Sequence, residues 1–91
     1  MKTIRALIYG RVQGVGFRAF VVREASARGL LGFVRNSNRR DEVEVVAHGE
    51  EHALDGLVAT LQAGPRGARV DDLLLQTLHS EERFGGFAVR Y

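Results

Sequence analysis

Two stretches of helical periodicity, each set between strand-like segments, limit the folds open to this chain. Over Glu50–Ala63, Leu54, Leu57, Val58 and Leu61 fall at i, i+3, i+4 and i+7, a single apolar stripe on a helix. Glu50 and Glu51 stand in its first turn, where negative charge complements the helix dipole. Over Phe17–Arg28, Phe17, Val21 and Ala25 recur every fourth residue with Phe20 beside them, and Gly29 follows as a stop. Elsewhere the period is that of strands. Thr3–Tyr9 is rich in Ile and Leu. Leu30–Asn36 and Glu42–His48 flank the polar turn SNRRDE as a hairpin, with Val43, Val45 and Ala47 on one face. Ala68–Leu78 follows the breaker GPRG, and Phe87–Tyr91 closes the chain.

The order is therefore β-α-β-β-α-β with a terminal strand. Two helices cannot cover both faces of a five-stranded sheet, so both are expected on one face of a mostly antiparallel sheet. That is a ferredoxin-like α/β (α+β) sandwich. The 91 residues suit a single domain, residues 1–91, without repeat or linker.

Composition removes several function classes. There is no cysteine, which excludes disulfides and thiol nucleophiles and fits a reducing, cytoplasmic location. No apolar run approaches the ~20 residues of a membrane span, and MKTIRALIYG lacks the core of a signal peptide, so no membrane association is expected. The formal charge is +2, and every cation except Lys2 is an arginine. This balance favours anionic ligands weakly and does not argue for nucleic acid.

Between the first strand and the first helix runs GRVQGVGFR, Gly10 to Arg18. A helix N-terminus has up to four N–H groups without partners inside the helix. Ser, Thr, Asp or Asn usually caps them, and here Gln13, Gly14, Val15 and Gly16 stand in their place. Glycines tolerate positive φ, so successive N–H groups converge into a concave nest that an anion would fill. Arg18 adds a planar fork suited to bidentate phosphate contact. The loop reads as a cradle for a small oxyanion; the plain alternative is a glycine-rich turn that only redirects the chain. It lacks the Lys-Ser/Thr of a Walker A loop, and GVGFRAF is a weak match to a dinucleotide fingerprint.

GRVQGVGFR, then GLLGFVRN, VEVVAHGE, GPRGARV and the closing FAVRY together resemble the acylphosphatases, from about Ile4 to Tyr91. The resemblance implies an enzyme that hydrolyses the carboxyl-phosphate bond of acyl phosphates without metal or cofactor. It implies that the backbone of Gln13, Gly14, Val15, Gly16 and Phe17, together with Arg18, binds the phosphate. It also implies that Asn36, ending GFVRN, orients the attacking water. Small-molecule acyl phosphates are then the partners, with inorganic phosphate and other oxyanions as inhibitors, and the default state is a monomer. Two departures stand out. Phe33 replaces the usual tryptophan, and the turn NSNRRDE lacks glycine and is one residue longer.

The residue types suit that chemistry. An acyl phosphate is already activated, and its carboxylate leaves with little protonation. What remains is to position water and stabilise charge on phosphoryl oxygens. A neutral amide can accept from water and donate to substrate, so no ionised base is required. Val12 stands six before Arg18, where a thiol-dependent phosphate loop would need cysteine, so direct attack by water is the simplest route. Asn38 is a rival to Asn36, since alternate residues of a continuing strand share a face.

Other constellations are weaker. His48 and His52 end a strand and begin a helix, and HGEEH is not H-E-x-x-H, so no zinc site is expected. Asp71 and Asp72 are adjacent and should point to opposite faces of a strand, a poor acid–base pair. No Ser lies in G-x-S-x-G. An RNA-binding reading of RGLLGFVRN fails because Leu30 and Asn36 stand where aromatics should stack. Related domains occur fused to larger carbamoyl-handling enzymes. With Arg18 and Asn36 both present and the chain ending at Tyr91, a free-standing enzyme is the expectation.

Overall fold

A computed structural model describes residues 1–91. The elements are β1 (Lys2–Arg11), α1 (Phe17–Ala27), β2 (Leu31–Asn36), β3 (Glu42–Gly49), α2 (Glu51–Ala63), β4 (Arg69–Leu78) and β5 (Phe87–Val89). They form one sheet in the order β4-β1-β3-β2-β5. All pairings are antiparallel except β2 with β5, which is parallel. This is the ferredoxin-like α+β arrangement expected from the sequence, with boundaries differing by one or two residues at most ends. No helix is long and apolar enough to cross a membrane.

The strands alternate as a half-buried sheet must. Ile4, Ala6 and Ile8 of β1, Val34 of β2, and Val43, Val45 and Ala47 of β3 are buried in one core. Phe17, Val21 and Ala25 of α1 and Leu54, Leu57 and Leu61 of α2 join them. Both helices therefore lie on one face, and the stripes read from periodicity are the buried stripes; Val58 packs at the margin. α1 ends where Gly29 takes φ +70°, with the Leu30 N–H returning to Ala25 O at 3.0 Å.

The other face has no helical cover and is held by charge. Glu44 stands at its centre, its side chain 8% exposed, between Arg5 of β1 and Arg35 of β2, with an ion pair to each. Thr3 Oγ1 and His48 Nδ1 hydrogen-bond at 2.8 Å on the same face. At the far edge, Arg90 lies over the Phe33 ring at 3.9 Å and pairs with Glu82 at 2.8 Å, and Phe84 packs on Phe33 with ring centroids 6.1 Å apart. The segment before β5, which carried no assignment from sequence, thus covers the end of β2.

One expectation is corrected. β4 does not alternate through Asp71 and Asp72. Tyr9 faces Asp72 while Gly10 faces Val70, so Asp71 is an extra residue in a bulge. The bulge breaks the period-two rule, and both carboxylates line one cleft with Arg69, Arg39 and Arg11. Arg69 holds Asp71 at 2.9 Å, and the Leu73 N–H donates to Asp72 at 2.8 Å.

Burial pushes the Glu44 carboxyl up, but the hydrogen bonds and charges of Arg5 and Arg35 win and hold it below its ordinary value of 4.5. Its contribution is therefore complete above that value and is lost as pH falls through the depressed folded value. Glu44→Gln should cost about 1–2 kcal/mol at pH 7. Denaturant unfolding at pH 7 and pH 3 checks this: the gap between wild type and variant should be largest at pH 7 and shrink towards pH 3.

Candidate functional site

The β1–α1 loop is stretched between two buried anchors. Val12 and Phe17 are each 1% exposed. Four residues lie between them, and two are glycines with φ +75° (Gly14) and +76° (Gly16). Gly16 is the N-cap of α1 in the left-handed region, and no side chain caps the helix. The first turn contains no acidic residue. The first helical bond is the Phe20 N–H to Gly16 O at 3.1 Å, and no N–H from Gly14 to Ala19 donates to a backbone carbonyl. The loop therefore presents a run of unanswered donors at the positive end of a helix. Around them Gly14, Gly16, Arg18, Val12, Val89 and Tyr91 border a cavity of about 240 Å³.

Arg18 is the second residue of α1, just past the anchor Phe17. It is half-buried and stacks over the Tyr91 ring at 5.4 Å. Sequence reasoning gave Tyr91 no role. Its place follows only from the parallel pairing of β5 with β2, a long-range contact that no local pattern announces.

Asn36 reaches the same end of the sheet by strand register. β3 pairs with both neighbours, placing Tyr9 of β1 opposite Glu42 and Asn36 of β2 opposite Val43. The exits of β1 and β2 therefore lie at the same end of the sheet, on either side of β3. Val34, two residues before Asn36, is wholly buried beneath the helices, and alternation sets Asn36 on that face. Its Oδ1 is buried and has no hydrogen-bond partner. A lone buried acceptor of this kind costs about 1–3 kcal/mol. Asn38 lies beyond the strand end, exposed in the turn, so the alternation argued for it does not extend that far.

Gln13 is used differently from the expectation that it serves through its backbone alone. Its side-chain Nε2 donates to Arg39 O at 2.8 Å and Glu42 O at 2.9 Å. Gly10 N–H donates to Asp41 O at 2.9 Å. These bonds tie the loop to the β2–β3 turn, and so to the strand end that carries Asn36. The turn is itself braced by charge. Arg39 holds Asp41 at 3.1 Å, which keeps that carboxyl below its ordinary range. Hydrogen bonds from Ser37 and Tyr9 hold the Glu42 carboxyl low as well.

The structure thus brings Gln13, Gly14, Val15, Gly16, Phe17, Arg18 and Asn36 to one end of the sheet on its helical side. The arrangement offers several N–H donors, one guanidinium and one free amide acceptor. That set suits a small, multiply charged oxyanion beside a hydrogen-bonded water. His48 is occupied with Thr3 on the opposite face.

The acylphosphatase family profile matches residues 4–89. An acylphosphatase of Caldivirga maquilingensis is 42% identical over 88 residues, covering 97% of this chain and 93% of that one. An acylphosphatase of Geobacter sulfurreducens is 44% identical over 90 residues, covering 97% and 98%. The crystal structure of acylphosphatase from Bacillus subtilis superposes with a TM-score of 0.94 at 38% identity, covering 100% of both chains.

Gly16 of the loop and Gly10 of β1 should respond differently to a methyl group. At Gly16 a Cβ meets nothing within 4 Å, so only the positive φ opposes it. At Gly10 a Cβ would lie 2.0 Å from Arg69 O, inside the β1–β4 pairing. Gly16→Ala should therefore destabilise by about 1–2 kcal/mol, and Gly10→Ala by about 3 kcal/mol or more. Thermal or denaturant unfolding of both variants tests the ranking.

Proposed function

The chain belongs to the acylphosphatase family, and from that premise we propose that it hydrolyses acyl phosphates to carboxylate and inorganic phosphate by direct attack of water. The observation that carries the reading is the run of unanswered N–H groups from Gly14 to Ala19 with Arg18 among them. Such a cradle holds the phosphoryl oxygens and stabilises the charge they gain in the transition state.

Asn36 supplies the second half. Its unpartnered Oδ1 accepts a hydrogen bond from water and turns the water lone pair towards phosphorus. The water oxygen bonds to phosphorus, the bond from phosphorus to the acyl oxygen breaks, and the carboxylate leaves. The water's proton passes to a phosphoryl oxygen. Because the leaving carboxylate is a weak base, the route needs neither an ionised base nor a metal ion. Gln13 acts by holding the cradle against the β2–β3 turn, so the phosphoryl group and the water keep their spacing. Inorganic phosphate and similar oxyanions would compete for the cradle.

Purified protein should turn over benzoyl phosphate in the presence of excess chelator. Arg18→Ala and Asn36→Ala should each lower the rate by about 10²–10³ while leaving the fold intact. Arg18→Lys should fail as well, since an ammonium cannot reproduce the bidentate fork. A rate near wild type in either alanine variant would remove the role given to that residue, and dependence on added metal would overturn the metal-free route.

A further inference from the structure

β4 is a ten-residue edge strand with nothing paired to its outer side. The other edge, β5, is three residues long. Which backbone groups of β4 face outward follows from hydrogen bonds further inside the sheet. Gly10 N–H donates to Asp41 O, towards β3. Alternation puts Ile8, Ala6 and Ile4 on that side as well and turns Leu7, Arg5 and Thr3 towards β4. Their partners Leu74, Gln76 and Leu78 therefore direct their backbone groups to β1. Leu73, Leu75 and Thr77 direct theirs away from the sheet. The Leu73 N–H agrees with this, since it bonds to the neighbouring Asp72 carboxylate at 2.8 Å instead of to a strand.

Beyond the bulge at Asp71 and the Asp72 carboxylate on the Leu73 N–H, this edge lacks the usual protections. β4 contains no proline or lysine, and Leu73–Leu78 carries no charge. Apart from the terminal Met1 and Tyr91, the large hydrophobic residues left exposed are Leu74 at 54% and Leu75 at 52%. They are adjacent in this strand and lie on opposite faces of the sheet.

We propose that this edge docks a second copy of the chain, β4 against β4, antiparallel about a two-fold axis at Leu74. The edge is complementary to itself in this register. Outward-facing Leu73 of one copy meets outward-facing Leu75 of the other, and backbone donors meet acceptors once the Leu73 N–H exchanges the Asp72 carboxylate for the Leu75 carbonyl. Leu74 then faces Leu74 and Asp72 faces Gln76, and the pairing ends at the Asp71 bulge. The leucines cover one another on both faces, and the Asp72 carboxylate gains a polar neighbour. Moving the axis to Leu73 sets Asp72 against Leu74. Moving it to Leu75 sets Asp72 against Leu78 and Leu74 against Gln76. Both alternatives place a charge or an amide against leucine. One strand pair is small beside the ~1,200–2,000 Å² of stable complexes. The dimer is therefore weak, and the monomer expected from sequence is its dilute form.

The test uses the full chain in sedimentation velocity, from micromolar towards millimolar concentration, with circular dichroism to verify folding. Wild type should move from one chain towards two. Leu74→Lys and Leu74→Glu alter a half-exposed side chain and should stay folded. Each sets like charges opposite one another and should weaken association about tenfold or more. Mixed in equal amounts, the two variants should dimerise again, because this register alone puts residue 74 opposite residue 74. Wild type that stays single at the highest concentration overturns the proposal. So do single variants that dimerise like wild type, or a mixture that stays monomeric.

Discussion

The placement of β1 between β3 and β4 is the constraint on which the rest of the structure depends. One strand satisfies hydrogen bonds on both sides, and its alternating Ile4, Ala6 and Ile8 fill the core beneath both helices. Its register against β3 also decides where the chain leaves the sheet. Gly10 N–H meets Asp41 O, and two residues later Val12 is buried, so the following loop cannot drift. A slip of one residue would turn the apolar set of β1 to the solvent face and move the loop away from Asn36. Stability and site geometry are thus consequences of one pairing.

The candidate site is assembled from what the fold leaves unsatisfied. Elsewhere polar groups find partners: Glu44 has two arginines, Gln13 has two carbonyls, and the end of α1 returns its N–H groups to Ala25 and Ser26. At one end of the sheet the rule lapses. The start of α1 has no side-chain cap, and Asn36 Oδ1 has no donor. The loop donors lie at the surface, where water answers them at little cost. The buried acceptor is more expensive, and the surrounding core must tolerate it. In the proposed reaction, a phosphoryl group would close the open donors and a water the open acceptor.

Much of the fold was legible because it rests on short-range periodicity. The stripe Leu54, Leu57 and Leu61 and the set Phe17, Val21 and Ala25 are buried as their spacing demands. The loop was legible too, since a helix start without a capping side chain shows in four consecutive letters. Other features were not, for reasons that lie in the pairing of distant strands. Asp71 and Asp72 looked like opposite-face neighbours, and only the match of β4 to β1 reveals the bulge that brings them into one cleft. The stretch before β5 looked featureless until Phe84 met Phe33 and Glu82 met Arg90. Gln13 carried no sign that its amide would reach a turn 26 residues away.

The sequence by itself determined the order of elements, the apolar faces that must be buried, and the presence of an uncapped, glycine-bearing helix start ending in arginine. These follow from local sterics and the two periods of regular structure, and neighbouring residues suffice to set them. Tertiary structure alone decided that Asn36 ends β2 on the helical face, at the same end of the sheet as that helix start, with its acceptor unpaired, that Tyr91 lies beside Arg18, and that β4 is left as the open edge. Each of these depends on which strands pair and in what register. That choice is made by burying one shared core, a balance over the whole chain that no single segment encodes.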